Sequence, residues 1–262
     1  MKETHLFYTP DIIHGIDILP ETEAGHAIRV LRMKKGDKLI LTDGCGLFYE
    51  AEITLASAKR CSFNILRSQK DRKLWKGGIH IAVAPTKNMD RMEWFTEKAA
   101  EIGLDSLTLL HCKNSERHTV KTERLEKIAI SAMKQSQKAY KPTIVPLTDF
   151  QQFISQPFDG QRFIAHCHDI AQNGEEASEY EALHHLSGRN FLGDLLDKQS
   201  QSLVLIGPEG DFSREEVEAA INAGFKPISL GESRLRTETA ALVAVHLMFL
   251  AKRAPFTDTC PT

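Results

Sequence analysis

The sequence predicts a two-part α/β protein: a small β domain over residues 1–70, then a larger domain over 71–262 built on a mostly parallel sheet. Three observations predict it. Short β-rich runs punctuated by turn signals fill the first part. A polar stretch ending in paired glycines, SQKDRKLWKGG at 68–78, reads as a linker. Beyond it, strand and helix patterns alternate, which implies a parallel sheet covered by helices.

In the first part, DKLILTDG, LFYEAEITLAS and CSFNILRS read as strands, with Asp43-Gly44 as a turn. After the linker, IHIAVAP reads as a strand and NMDRMEWFTEKAAEIG as a helix ended by Gly103. SLTLLHC is the next strand and TERLEKIAISAMKQSQKA the next helix. In that helix Leu125, Ile128, Ala129, Ala132 and Met133 recur at helical spacing and form a core stripe. Arg124, Lys127, Lys134 and Lys138 lie off the stripe, toward water. Further strands follow at RFIAHC, SLVLIG and KPISLG, with helices after the last two. Residues 171–200 read as an acidic, irregular surface loop with one short helix. In the last helix Leu242, Val243, Val245, Leu247, Met248, Phe249 and Leu250 leave little polar face, so it is buried by its own domain or by a partner subunit.

Composition narrows the class. Hydrophobic residues make up 42% and charged residues 26% of 262 residues, an ordinary globular balance. No apolar run is long enough to span a membrane, and MKETHLFYTP has no basic-then-apolar signal region, so a cytoplasmic protein without membrane partners is expected. Cys45, Cys61, Cys112, Cys167 and Cys260 are scattered without a CxxC pair, which fits reduced thiols. The net charge of −2 is unevenly spread: residues 111–142 hold eight Lys/Arg against three acids, and 165–200 two against seven. The basic segment is either a solvated face or a track for a phosphate backbone.

The most informative stretch is LIGPEGDFSREEVEAAINAGFKPISLGESRLRTETAA, from residue 205. Two apolar runs each end in a glycine turn, GPEG and LGES. Ser213 with Glu216 forms a capping-box pattern, and Gly224 closes that helix. In a parallel sheet both turns fall at the carboxyl ends of strands, where such folds bind ligands. Their freed amides suit a purine edge or a carboxylate. Neither GxxxxGK[ST] nor GxGxxG occurs, which excludes a P-loop and argues against an ordinary dinucleotide site.

Taken together, LIGPEGDFSREE and SLGESRLRTETAALVAV resemble the carboxy-terminal signature of the SPOUT-class RNA methyltransferases, and most closely the RsmE family, which methylates N3 of a uridine in small-subunit (16S) ribosomal RNA. The resemblance extends through HLFYTP, HAIRVLRMKKGD and SERHTVKTERLEKIAISAMKQSQK. It departs at Asp211, where the family commonly has glycine. The resemblance implies a PUA-like β-barrel followed by a SPOUT α/β domain with a trefoil knot, a homodimer, and S-adenosylmethionine as cofactor. It places the cofactor on Ile206, Gly207, Pro208, Glu209, Gly210, Leu230, Gly231, Leu235, Arg236, Thr239 and Ala240. Arg236 is expected to stabilise the developing uridinate. Glu209 or Glu238 takes the N3 proton or else holds Arg236 or the cofactor; for Glu238, pairing with the helix dipole is an equal alternative. RNA, as ribosomal RNA or the small subunit, is expected on His26, Arg29, Arg32, Lys34, Arg117, Lys134 and Lys138.

Two rivals stand beside this expectation: a SPOUT methyltransferase acting on another RNA nucleoside, and a non-catalytic RNA-binding assembly factor, which would not bind S-adenosylmethionine. His166-Cys167-His168-Asp169 is weighed as a metal candidate, but no further ligand follows at a recognisable spacing. A strand end beside the cofactor pocket is expected there, and no metal.

Overall fold

The computed structural model describes residues 5–57, 59–168 and 190–254. The chain divides into two compact units, Met1–Lys73 with Ala129–Lys141, and Leu74–Ile128 with Pro142–Thr262.

The first unit carries a four-stranded sheet in the order β1-β2-β3-β4: β1 (Leu6–Tyr8), β2 (Lys38–Thr42), β3 (Leu47–Ala56) and β4 (Cys61–Lys70). β1 runs parallel to β2, and the other two pairs are antiparallel. Alternation in β2 buries Leu39 and Leu41 with Phe7, Ile53 and Phe63, while Lys38 and Ile40 take the other face. A short helix, α1 (Glu21–Gly25), continues as one wide turn over His26–Val30 and adds Ala24 and Ala27 to this core.

The second unit holds a seven-stranded sheet in the order β7-β6-β5-β10-β8-β11-β9, parallel throughout. Its strands are β5 (Gly78–Val83), β6 (Ser106–His111), β7 (Thr143–Asp149), β8 (Gln161–Ala165), β9 (Asn190–Phe191), β10 (Gln201–Ile206) and β11 (Lys226–Ser229). Its helices are α2 (Met89–Ile102), α4 (Phe150–Ile154), α5 (Leu192–Leu195), α6 (Arg214–Asn222) and α7 (Thr237–Lys252). A further helix, α3 (Glu123–Gln135), starts in this unit and gives its second half to the first. β10 sits between β5 and β8 and is buried from Ser202 to Ile206, as a strand covered on both faces must be.

The strands and helices expected beyond residue 78 within the described residues are present, joined by β7 and α4, which were not expected; two other expectations fail and one falls largely outside the described residues. The linker is not free chain: Ser68–Lys70 still pair with Leu47–Tyr49, and Trp75 is buried with its indole N–H donating to Asp105 Oδ2 at 2.7 Å. Lys134 and Lys138 do not point into water. Lys134 Nζ donates to both Glu23 oxygens, at 2.7 and 2.8 Å, and Lys138 is only 7% exposed. Burial pushes the nearby Asp71 carboxyl up, and the Ala139 amide and the Lys138 charge oppose the rise. Helical spacing sorted these lysines by their own helix axis, but Glu23 of α1 and the Phe7 ring of β1 meet Lys134 from another part of the chain. The acidic loop expected at 171–200 lies outside the described residues up to 189; from 190 onward β9 and α5 are regular.

Candidate functional site

The carboxyl ends of β8, β10 and β11 open into one cavity of about 350 Å³ in the second unit. That volume is at the lower end of the ~300–1,000 Å³ typical of small-ligand sites. Ile206, Gly207, Pro208 and Glu209 form the wall after β10, and Leu230, Gly231, Leu235 and Arg236 the wall after β11; Ala240 closes it from α7. Two residues expected here are elsewhere. Gly210 turns away: its carbonyl accepts from Asn114 Nδ2 at 3.4 Å, and it does not line the cavity. Thr239, one residue before Ala240 on the helix, also stays outside the lining.

The two glycines on the walls do different things. A Cβ at Gly207 would lie 3.0 Å from the Phe212 amide nitrogen, so the turn is packed too closely for a side chain. Gly231 has φ +128 and open space where a Cβ would be, so a side chain there would strain the backbone and enter the cavity. Apolar side chains, a glycine cradle and turn backbone together fit a flat heterocycle with a polar edge.

The charged residues fall in two layers. Glu209 lines the cavity, and its Oε1 accepts from the Lys87 amide at 3.1 Å. Arg236 precedes the first residue of α7, is exposed, and also lines the cavity. Glu238 is behind the wall: 7% exposed, outside the lining, with Oε1 3.8 Å from Arg91 Nε and Oε2 buried without a hydrogen-bond partner among the described residues. At 3.8 Å the pair is a charge contact, longer than a hydrogen bond.

Arg91 was missed from the sequence and lines the cavity. It lies in the first turn of α2, after the Asn88 cap, and so at the carboxyl end of β5. That placement, a cation at a helix start on the ligand edge of a parallel sheet, is the signal that could have found it. Asp211 was noticed only as a departure. It has φ +63, lines the cavity, and its Oδ2 accepts from the Cys167 amide at 2.7 Å while Oδ1 accepts from the Phe212 amide at 2.8 Å. His166 and Cys167, after β8, line the cavity too, and His168 Nε2 meets the Phe212 carbonyl. Asp169 lies outside the described residues, among which no group of three or more His, Cys, Asp or Glu could hold a metal ion.

Of the residues expected to meet RNA, His26, Arg29, Arg32 and Lys34 are exposed on the first unit. Arg117 is committed otherwise: Nε donates to the Thr86 and Lys87 carbonyls at 3.2 and 2.9 Å, and a terminal nitrogen to Lys87 at 2.6 Å. It fastens the β5–α2 loop that Glu209 holds from the other end.

A parallel sheet with a ligand cavity at its strand ends, preceded by a small β unit with exposed basic residues, is an arrangement suited to an enzyme that handles a nucleic acid. Comparison with known proteins places it further. Residues 73–249 match the family model of the RNA methyltransferase domain, and residues 19–66 that of the RNA methyltransferase PUA domain. The chain belongs to the RNA methyltransferase domain family. It is similar to a probable rRNA-methyltransferase from Porphyromonas gingivalis, at 46% identity and a TM-score of 0.82, over 95% of this chain and 98% of that one. It is 26% identical to the ribosomal RNA small subunit methyltransferase E of Bacillus subtilis over 85% of each chain. The enzyme of that name from Neisseria gonorrhoeae, solved bound to S-adenosyl methionine, shares the fold at 24% identity and a TM-score of 0.76, over 94% of this chain and 97% of that one.

Proposed function

We propose that this protein uses S-adenosylmethionine to methylate N3 of a uridine in 16S ribosomal RNA. The observation that carries the proposal is the single cavity formed by both glycine turns and the front of α7, with Arg236, Arg91 and Glu209 close to it. The names borne by its relatives support the substrate, and the cradle at Gly207 and Gly231 supports the cofactor.

In this reading Ile206, Leu230, Leu235 and Ala240 hold the cofactor's apolar surfaces, and the turn amides after β10 and β11 its polar edge. S-adenosylmethionine, when bound, supplies an electrophilic sulfonium methyl. The remaining work falls to the chain. Neutral uridine carries a proton on N3, which must leave as the N3–methyl bond forms. Arg236 directs N–H donors at O2 or O4, where negative charge develops. Glu209 faces the cavity and is the residue to take the proton. Glu238, behind the wall, acts as a positioning residue by holding Arg91.

The finer organisation belongs to the same proposal. Residues 1–70 guide RNA through His26, Arg29, Arg32 and Lys34, and 71–262 carry the chemistry in a trefoil-knotted domain. The protein works in the cytoplasm as a homodimer. Supporting the dimer, Leu250 on α7 and Trp94 on α2 remain 45% and 44% exposed. The test is transfer by the purified protein to unmodified 16S rRNA and to small subunits, with the product mapped by mass spectrometry. A single 3-methyluridine is expected. Transfer to a ribose or another base would redirect the proposal, and failure to bind the cofactor would end it.

A further inference from the structure

The first unit has a cavity of its own, about 250 Å³, which the methyl-transfer chemistry does not use. Register explains how it forms. Directly paired residues share a face, so Leu6, Ile40, Glu50 and Arg67 make one row across the four strands, and Tyr8, Thr42, Phe48 and Gln69 the next. Both rows lie on the face opposite the Phe7–Leu41 core. Leu6, Ile40 and Phe48 give the cavity buried or half-buried apolar surface, beside Tyr49 and the half-buried Glu50. Its exposed members are polar: Arg67, Gln69 and, from the segment after α3, Gln137.

Gln137 is the unexpected part. The Gln137 amide donates to the Lys134 carbonyl and the Lys138 amide to Met133, both at 3.1 Å, the bonding pattern that closes a helix on a left-handed residue. Glycine takes that position without strain, yet here a glutamine sits at φ +53. Residues kept in a costly conformation gather at functional sites. What glutamine supplies that glycine lacks is an amide, and it supplies it at the cavity.

We infer that this cavity binds one unstacked RNA base, distinct from the base that is methylated, with Phe48 as the stacking surface and the Gln69 and Gln137 amides reading the base edge. A base has apolar faces and an edge of mixed donors and acceptors. An aromatic floor under two side-chain amides matches both. The Arg67–Glu50 ion pair leaves the rim nearly neutral, so no carboxylate or lone phosphate is favoured. A cavity this size takes one ring system, whereas a protein partner needs a far larger contact area. The inference rests on the proposed function for the identity of the RNA, but on the first unit alone for the site.

The experiment compares full-length wild type, Phe48→Ala and Gln137→Gly on unmodified 16S rRNA, following KM for RNA, kcat, S-adenosylmethionine affinity and Tm. A lost base stack should raise KM roughly tenfold in Phe48→Ala. Gln137→Gly should raise it severalfold while Tm stays level or rises, because glycine relaxes the helix end. In both, kcat and cofactor affinity should match wild type. With 4-thiouridine in the RNA, ultraviolet cross-links should map to β3 and β4. Wild-type KM in both variants, with no such cross-link, would overturn the inference. A raised KM confined to assembled small subunits, with naked rRNA bound normally, would assign the cavity to a ribosomal protein and overturn it as well. Cross-linking through Phe48 by a protein that transfers no methyl would keep this site and remove the proposed function.

Discussion

The two loops that wall the cavity differ sharply in how they are held. The β10–α6 loop is fastened on every side. Glu209 takes the Lys87 amide, Asp211 the Cys167 amide, Asn114 reaches the carbonyls of Gly210 and Asp211, and Ser213 and Glu216 close a reciprocal capping box. The β11–α7 loop has much less. Among the described residues its hydrogen bonds are the exchange between Ser229 Oγ and Gly231, and the bond that the Ala240 amide donates to the Arg236 carbonyl. One loop is a preformed wall; the other keeps its polar side chains, Arg234 and Arg236 among them, exposed for a ligand. Preorganisation and adaptability are divided between two turns that look alike in sequence.

Four changes should break or sharpen that contrast. The largest effect belongs to the open loop. Arg236→Ala should bind S-adenosylmethionine normally yet lose roughly a hundredfold or more in single-turnover methylation, the usual cost of removing a directed donor to developing charge. Arg236→Lys should recover part of it, since an ammonium cannot offer the same planar set of donors. A wild-type rate for the alanine variant would make Arg236 structural.

On the fastened loop the loss should appear as stability. Asp211→Ala removes the acceptor of the Cys167 and Phe212 amides and should cost about 1–3 kcal/mol in denaturant unfolding. Asp211→Gly suits φ +63 and should recover some of that, without restoring the tie to Cys167. Equal stability of all three proteins would show that the tie does nothing.

The glycines come next. Gly231→Val puts a branched side chain into the open cavity and should weaken cofactor binding by about tenfold. Gly210→Val, whose new Cβ would meet Asn114 at an ordinary 3.4 Å, should leave calorimetric affinity close to wild type. Equal losses would return Gly210 to the site.

The smallest effect is at the start of α6. The Ser213 hydroxyl, the local amide and Lys113 hold the Glu215 carboxyl down at about 2, below its ordinary 4.5. A depressed carboxylate stabilises the fold above its unfolded pKa and loses that contribution as pH falls through its folded one. Between pH 4.5 and 2, Tm should therefore fall slightly less steeply in Glu215→Gln than in wild type.

Much of this was legible in the sequence, for identifiable reasons. Apolar runs ending in glycine located β10 and β11, and the S-x-x-E pattern located the start of α6, because those signals are local. β7 was missed because Pro146 interrupts TIVPLTD; the strand lies at the sheet edge, where a missing N–H is tolerated. Lys134 was misread because its partner, Glu23, lies 111 residues earlier. Arg91 reaches the cavity from a different crossover than the motif that announced the site. Spacing shows which face of its own element a residue occupies; what covers that face is settled elsewhere in the chain.

The strand order also sets a timetable. Gln201 pairs with Gly78 on one side and Ser202 with Gln161 on the other, so the centre of the large sheet stays open until β10 has been made. α7, which closes the cavity through Ala240, is made later still. Pairing over such sequence distances is slow, and nascent chains fold from the amino end as they emerge. A chain still being synthesised has the strands that carry Phe48 long before it has the cavity of the second unit. The wall after β11 and the Ala240 that closes the cavity are therefore among the last described parts of the chain to be made.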